Sequence, residues 1–180
     1  MQICYTNAVV SAQLCSCDKM LTLQDFMCCA HVKFTHRPTM AKFYHHGVTI
    51  LIFTSLKCRT MGFPKDCNNK NNLNEIVAKH QEILQSFIEK FPWSLTLKNV
   101  SLSTATATHQ LPCSVTLQAS HFMYEPELFS AAKLRLDNDN DSAHVNVFAN
   151  GKVVCLGIKS QGHVESLLRY LYGCLFKNEI

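Results

Sequence analysis

Val48-Thr-Ile-Leu-Ile-Phe-Thr-Ser-Leu-Lys57 returns 95 residues later as Ala143-His-Val-Asn-Val-Phe-Ala-Asn-Gly-Lys152. The apolar alternation, the phenylalanine and the closing lysine keep their places, and Gly62 and Gly157 follow at the same offset. A period of two marks strands, because successive side chains leave a strand on opposite faces. Val48, Ile50 and Ile52 therefore share one face, and Thr49, Leu51, Phe53 and Ser55 the other. In the second copy Val145, Val147 and Ala149 oppose Asn146, Phe148 and Asn150. Asn150-Gly151 predicts a tight hairpin turn, since both residues tolerate positive φ, and Lys152-Val153-Val154-Cys155-Leu156 is the return strand.

The duplication extends outward from these hairpins. Thr6-Asn7-Ala8-Val9 corresponds to Lys98-Asn99-Val100-Ser101 at an offset of 92. Leu73, Ile76, Val77, His80 and Leu84 correspond to Val164, Leu167, Leu168, Leu171 and Leu175 at an offset of 91. Near-constant offsets across three blocks predict two copies of one unit, residues 1–90 and 91–180. Each copy closes with a helix whose apolar residues recur at helical spacing. Asn72, with Glu75 three residues on, is a start signal for the first; Ser160 is the cap candidate for the second. If the Val and Ile faces meet these helices, Phe53 and Phe148 point the other way. An aromatic there has two readings: a second layer covers it, or it is a wedge or stacking residue at a binding surface.

The 180 residues fit one domain. With 47% hydrophobic and 17% charged residues the chain can bury a sizeable core, which excludes a disordered charged chain. The longest uninterrupted aliphatic and aromatic stretch, Ile50-Leu51-Ile52-Phe53, is too short to span a bilayer. Met1-Gln2-Ile3-Cys4-Tyr5 lacks the pattern of a secretory signal, so an intracellular chain without a membrane partner is expected. Net charge is +4, all of it in residues 1–90, where 10 Lys+Arg outnumber 6 Asp+Glu; residues 91–180 hold 7 of each. That bias is too mild to indicate nucleic acid by itself.

Cys15-x-Cys17, Cys28-Cys29, His31, His36 and His45-His46 crowd the first half and are a conceivable zinc set. No paired Cys-x2-Cys knuckle at finger spacing accompanies them, so free thiols are expected, with no metal and no cofactor. His45-His46 reads as a strand-end or loop feature. No nucleophile–base pairing and no phosphate-cradling glycine loop is present, so no enzyme is expected.

Phe122-Met-Tyr124-Glu125-Pro126-Glu127-Leu128-Phe129, then Val147-Phe148-Ala-Asn-Gly151-Lys152-Val153-Val154, then Gly157-Ile-Lys159, resemble the second repeat of the TATA-box-binding protein core. The first half resembles the family in outline, through Thr6-Asn7-Ala-Val9, Leu51-Ile52-Phe53-Thr-Ser and Lys57. The resemblance implies an α+β saddle: two pseudo-symmetric repeats, one curved antiparallel sheet, and helices on the convex face. It implies a transcription initiation factor that binds double-stranded, A·T-rich DNA in the minor groove. Phe129 and Phe148 match the wedge pair of the second repeat, and Phe53 one wedge of the first. Asn7 and Asn99 match central asparagines; Val9 and Val154 match apolar groove-facing positions. Lys57, Lys152, Lys159 and Arg135 match basic positions on the DNA backbone. Glu125, Glu127 and Leu128 match the loop gripped by general transcription factor B. The implied partners are DNA, general transcription factors A and B and the RNA polymerase machinery, in the nucleus or wherever a virus transcribes.

Several residues depart from the family pattern. The second wedge of the first repeat is expected near Thr39 or Met40, and neither is aromatic. Met61 and Leu156 stand for threonines, Arg59 for an apolar groove residue, Leu56 for a turn glycine and Ser101 for an apolar neighbour of Asn99. Asp137-Asn-Asp-Asn-Asp141 reads as a long acidic loop. These departures support a second reading, an interaction module of the same fold with weak or no TATA-specific binding. An apolar open face also invites a homodimer.

Overall fold

The computed structural model describes residues 2–17, 20–28, 34–37, 39–117, 123–138 and 141–176, with the backbone alone described at 27, 34–37, 135–138 and 141–142. In chain order the elements are β1 (Cys4–Ser16), α1 (Leu23–Met27), β2 (Phe34–Arg37), β3 (Met40–His45), β4 (Val48–Phe53), β5 (Lys57–Gly62), α2 (Leu73–Ile88), β6 (Leu95–Gln110), β7 (Ala131–Asn138), β8 (Asp141–Phe148), β9 (Lys152–Ile158) and α3 (Gln161–Phe176). They form two compact units, Asn7–Ser103 and Met1–Thr6 with Thr104–Ile180, and the long strands β1 and β6 contribute to both. Among the described residues no helix is long and apolar enough to cross a membrane.

In the unit Asn7–Ser103 the strand order is β2-β3-β4-β5-β1-β6, with antiparallel pairing at β2/β3, β3/β4, β4/β5 and β5/β1. The predicted alternation holds. Val48, Ile50 and Ile52 are buried and pack in one cluster with Ala41, Phe43 and Cys58 of the neighbouring strands. Helix α2 closes that cluster with Ile83, Leu84, Phe87 and Ile88. Each such side chain contributes about 1.5–3 kcal/mol by leaving water. The helix starts where the sequence says it should: the Asn72 carboxamide accepts from the backbone N–H of Asn74 (3.1 Å) and Glu75 (3.3 Å), satisfying donors that lack partners in the first turn. It ends in tightened turns, with Lys90 N–H on Phe87 O and Phe91 N–H on Ile88 O, before Pro92. Short helix α1, unforeseen from the sequence, is held by the Asp25 carboxylate, which accepts from the Thr22 N–H (2.7 Å) and hydroxyl (2.8 Å).

One polar pair lies inside this core. His80 and Thr60 are fully buried, and His80 Nδ1 lies 2.8 Å from the Thr60 hydroxyl. That hydroxyl donates to the Val10 carbonyl at 3.4 Å, so it accepts from His80 Nδ1–H. His80 Nε2, left as a lone pair, has no partner among the described residues. Burial holds the imidazole pKa down at about 4, offset in part by the Gly62 backbone, and the ring is neutral.

In the other unit the order is β1-β6-β9-β8-β7. Here β6 alternates Thr and Ala: Ala105, Ala107 and His109 are buried, while Thr104, Thr106 and Thr108 are half-buried. Val145, Val147, Val153 and Cys155 are buried, as are Val164, Leu167, Leu168 and Leu171 of α3. Ser160 caps α3 as expected, its hydroxyl accepting from His163 N–H at 3.2 Å. His109 ties residue 2 to α3, with Nδ1 2.7 Å from the Gln2 carbonyl and Nε2 2.9 Å from the Tyr172 hydroxyl.

The tight hairpin turn expected at Asn150-Gly151 joins β8 to β9, with Gly151 left-handed (φ 80) and its N–H on Phe148 O at 2.9 Å. This is the three-residue loop in which a type I turn is followed by one left-handed residue. The acidic loop expected at 137–141 is instead largely strand: Asp137 pairs with Ser142 and Asn138 with Asp141 across β7 and β8, and residues 139–140 lie outside the described residues. Asp and Asn are weak strand formers, but the hairpin's apolar register carries them along.

Candidate nucleic-acid interface

The face away from the helices is defined by cross-strand register. In the unit Asn7–Ser103, Val9 lies opposite Met61, Ser11 opposite Arg59 and Gln13 opposite Lys57. Met61 then faces Thr49, and Arg59 faces Leu51; Tyr44 pairs with Thr49, Lys42 with Leu51 and Met40 with Phe53. In the other unit Thr106 lies opposite Leu156, Thr108 opposite Val154 and Gln110 opposite Lys152. His144 faces Leu156, and Asn146 faces Val154; Arg135, Lys133 and Ala131 pair with His144, Asn146 and Phe148. The two registers superpose position by position, with Phe53 on Phe148, Lys57 on Lys152, Arg59 on Val154, Met61 on Leu156 and Lys42 on Lys133.

These faces are apolar and cationic together. Phe53 and Phe148 are half-buried. Phe129 is 38% exposed, and its ring meets Phe148 edge to face with centroids 6.2 Å apart. The Lys133 ammonium lies 5.0 Å from the Phe129 ring, the Arg59 guanidinium 5.8 Å from Phe53 and the Lys42 ammonium 4.9 Å from Tyr44. Such cation–aromatic contacts are worth about 0.5–1 kcal/mol at exposed sites. The face positions of β1, β3, β4 and β5 in the first unit carry no carboxylate.

Asn7 is prepared to donate. Its Oδ1 accepts from the Gly62 N–H at 2.9 Å, which fixes the amide flip and leaves the NH2 group without a partner among the described residues. Asn99 is built differently. It is exposed and left-handed (φ 53), and it lies between Leu97 and Val100, both packed on the core. It breaks the buried–exposed alternation of β6 there, in a conformation asparagine tolerates. The two asparagines matched from sequence thus have different backbone settings.

The remaining expected residues are placed as follows. Val9 and Val154 are half-buried, and Lys57, Lys152 and Lys159 exposed, Lys159 between β9 and α3. Arg135 lies in β7 opposite His144; its side chain is outside the described residues. Glu125, Glu127 and Leu128 are exposed, Leu128 by 79%, in a turn where the N–H groups of Leu128 and Phe129 both reach Glu125 O at 3.0 Å. That turn and Lys133 line a shallow cavity of about 150 Å³ with Met123, itself 65% exposed.

Two departures acquire structural content. Leu56 is left-handed (φ 59) in the same turn position as Gly151, with its N–H on Phe53 O at 2.8 Å. The expected wedge near Thr39 or Met40 is displaced: Met40 opposes Phe53 as Ala131 opposes Phe148, so the counterpart of Phe129, two residues before Ala131, is Pro38, outside the described residues. Phe122, Cys29 and His31 are also outside them. Among the described residues no three His, Cys, Asp or Glu side chains cluster, and His45 ends β3 with His46 (φ 44) in the turn that follows. Lys42 and Lys133 were missed from sequence. Counting in twos back from their hairpins would have found them.

The helices pack on the buried strand positions of a strand-rich α+β fold, and rows of half-exposed phenylalanine, asparagine and lysine lie on the opposite side. The family described as transcription factor TFIID, or TATA-binding protein, matches residues 95–178. The TATA-binding protein of Methanococcus jannaschii has the same fold, with a TM-score of 0.71 and 21% identity over 95% of this chain and 96% of that one. No curated protein sequence matches the chain. The second half of the chain therefore matches the TATA-binding protein family, and the chain as a whole has that family's fold.

Proposed function

We propose that the chain is a transcription initiation factor that takes A·T-rich duplex DNA by the minor groove on the open faces of its two units. The observation that carries this is the Phe129–Phe148 ring pair with Lys133 beside it, and Phe53 at the matched position of the other unit with Arg59 beside it. Aromatic wedges offset the stacking that a kinked base step loses. The Asn7 amide suits the acceptors that A·T pairs present in that groove. Lys57, Lys152, Lys159 and Arg135 hold phosphates, and Val9 and Val154 contact sugars. The chain is two repeats, 1–90 and 91–180, working in the nucleus or another site of transcription. Glu125, Glu127 and Leu128 form the docking point for general transcription factor B, and factor A and the polymerase machinery follow. The test is a gel shift on A·T-rich and G·C-rich duplexes over a salt series. Tighter binding to A·T-rich duplex, with log affinity falling linearly in log salt, is expected, since phosphate contacts release counterions. No binding at low salt overturns the proposal.

One observation favours a second reading. The sequence has Pro38 at the position that matches Phe129, so Phe53 lacks the aromatic counterpart that Phe148 has. An interaction module that captures transcription factors with little DNA binding accounts for that loss. It predicts capture of factor B without a gel shift, and loss of capture in Glu125→Arg.

A further inference from the structure

Arg59 stands where the other unit has Val154, at the same register of the same hairpin. It is exposed, its cross-strand neighbours Leu51 and Ser11 are uncharged, and no carboxylate pairs with it among the described residues. Its guanidinium rests 5.8 Å from the Phe53 ring, the ring assigned above to a base step. Lys57 and Lys152 sit at hairpin ends, whereas Arg59 is in the middle of β5, a strand flanked on both sides. On a groove-binding face the ends meet the phosphate walls and the middle meets the floor. A guanidinium carries only donors. The floor of an A·T pair offers only acceptors, while guanine adds an amino donor that the guanidinium cannot satisfy. Valine at the matching position has no such preference.

We infer that Arg59 makes the Asn7–Ser103 unit select the A·T-rich half of an asymmetric duplex, and so orients the chain on DNA. This rests on the minor-groove reading above. The probe is a duplex with one A·T-rich and one G·C-rich half. Fluorescence transfer from a dye at the chain's C terminus to a dye at either duplex end reports orientation. The wild type is expected to favour one orientation by about tenfold, a modest base-edge discrimination. Arg59→Val brings the ratio near one, and the double variant Arg59→Val, Val154→Arg reverses it. Arg59→Lys keeps the affinity and salt slope but loses most of the bias, because an ammonium lacks the planar fork. If Arg59→Val weakens all duplexes equally with the bias intact, Arg59 is a phosphate contact and the inference falls. Wild type that binds with no bias overturns this inference alone; wild type that binds no duplex overturns the groove reading with it.

Discussion

His80 makes the stability of the Asn7–Ser103 unit depend on pH, with a sign and size that follow from its surroundings. The ring is fully buried, donates to Thr60 and presents an unpartnered Nε2 to the core. A proton added there is a buried, unpaired charge. The pKa is held down at about 4 against an ordinary 6.5. Above pH 6.5 neither state binds the proton and His80 exerts no pH effect. Between 6.5 and 4 the unfolded chain binds it and the folded chain does not, so stability falls as pH falls. At about 1.36 kcal/mol per pKa unit the loss is about 3 kcal/mol. Half-buried His45, also held down at about 4 by burial, Lys90 and His46, acts in the same direction, so the contrast must be taken within a variant pair. Urea unfolding of wild type and His80→Leu at pH 7.5, 6, 5 and 4 supplies it. The variant is expected to be the less stable at pH 7.5, having lost the bond to Thr60, and its deficit to shrink by about 3 kcal/mol on reaching pH 4. Parallel pH profiles would mean that the folded protein accommodates the proton, and would refute the buried neutral ring.

Other expectations follow from single residues. Gly151→Ala puts a methyl group against the Cys113 carbonyl at a left-handed position and should cost at least about 1–2 kcal/mol in thermal or urea unfolding. Leu56→Gly, at the matching turn position, relieves the same backbone cost while giving up half-buried packing, so its stability should lie within about 1 kcal/mol of wild type. Asn7→Asp keeps the acceptor for Gly62 N–H but turns the donor into a charge facing groove acceptors. Titration should show unchanged folding and an affinity for A·T-rich duplex lower by about 2 kcal/mol, roughly thirtyfold. Leu128→Ala removes a side chain that is 79% exposed; folding should be untouched, and a pull-down of general transcription factor B weakened.

Much of the fold was legible because its hairpins alternate strictly. Val145 and Val147 against Asn146 and Phe148 told buried from open face, and Asn72 and Ser160 marked both long helices through cap chemistry. What escaped had local signals that pointed elsewhere or nowhere. Asp137 and Asn138 look like loop residues and are strand only through their partners on β8. The Thr-Ala alternation of β6 is strand-like but carries almost no hydrophobic contrast. Helix α1 is five residues long, too short for a periodic stripe. At the site, Phe53, Phe148, Lys57 and Lys152 were readable from the repeat itself, whereas the left-handed backbone of Asn99 and the bond that orients Asn7 depend on residues distant in sequence.

The most direct test is the shape of the bound DNA. End-to-end fluorescence transfer on an A·T-rich duplex should rise when wild type binds at low salt, because the phenylalanines open base steps and bend the helix. Phe148→Ala should still bind, through its basic residues, and leave the transfer near that of free duplex. A wild type that binds without drawing the ends together, or a Phe148→Ala variant that bends as well as wild type, would contradict the claim that these rings are wedges.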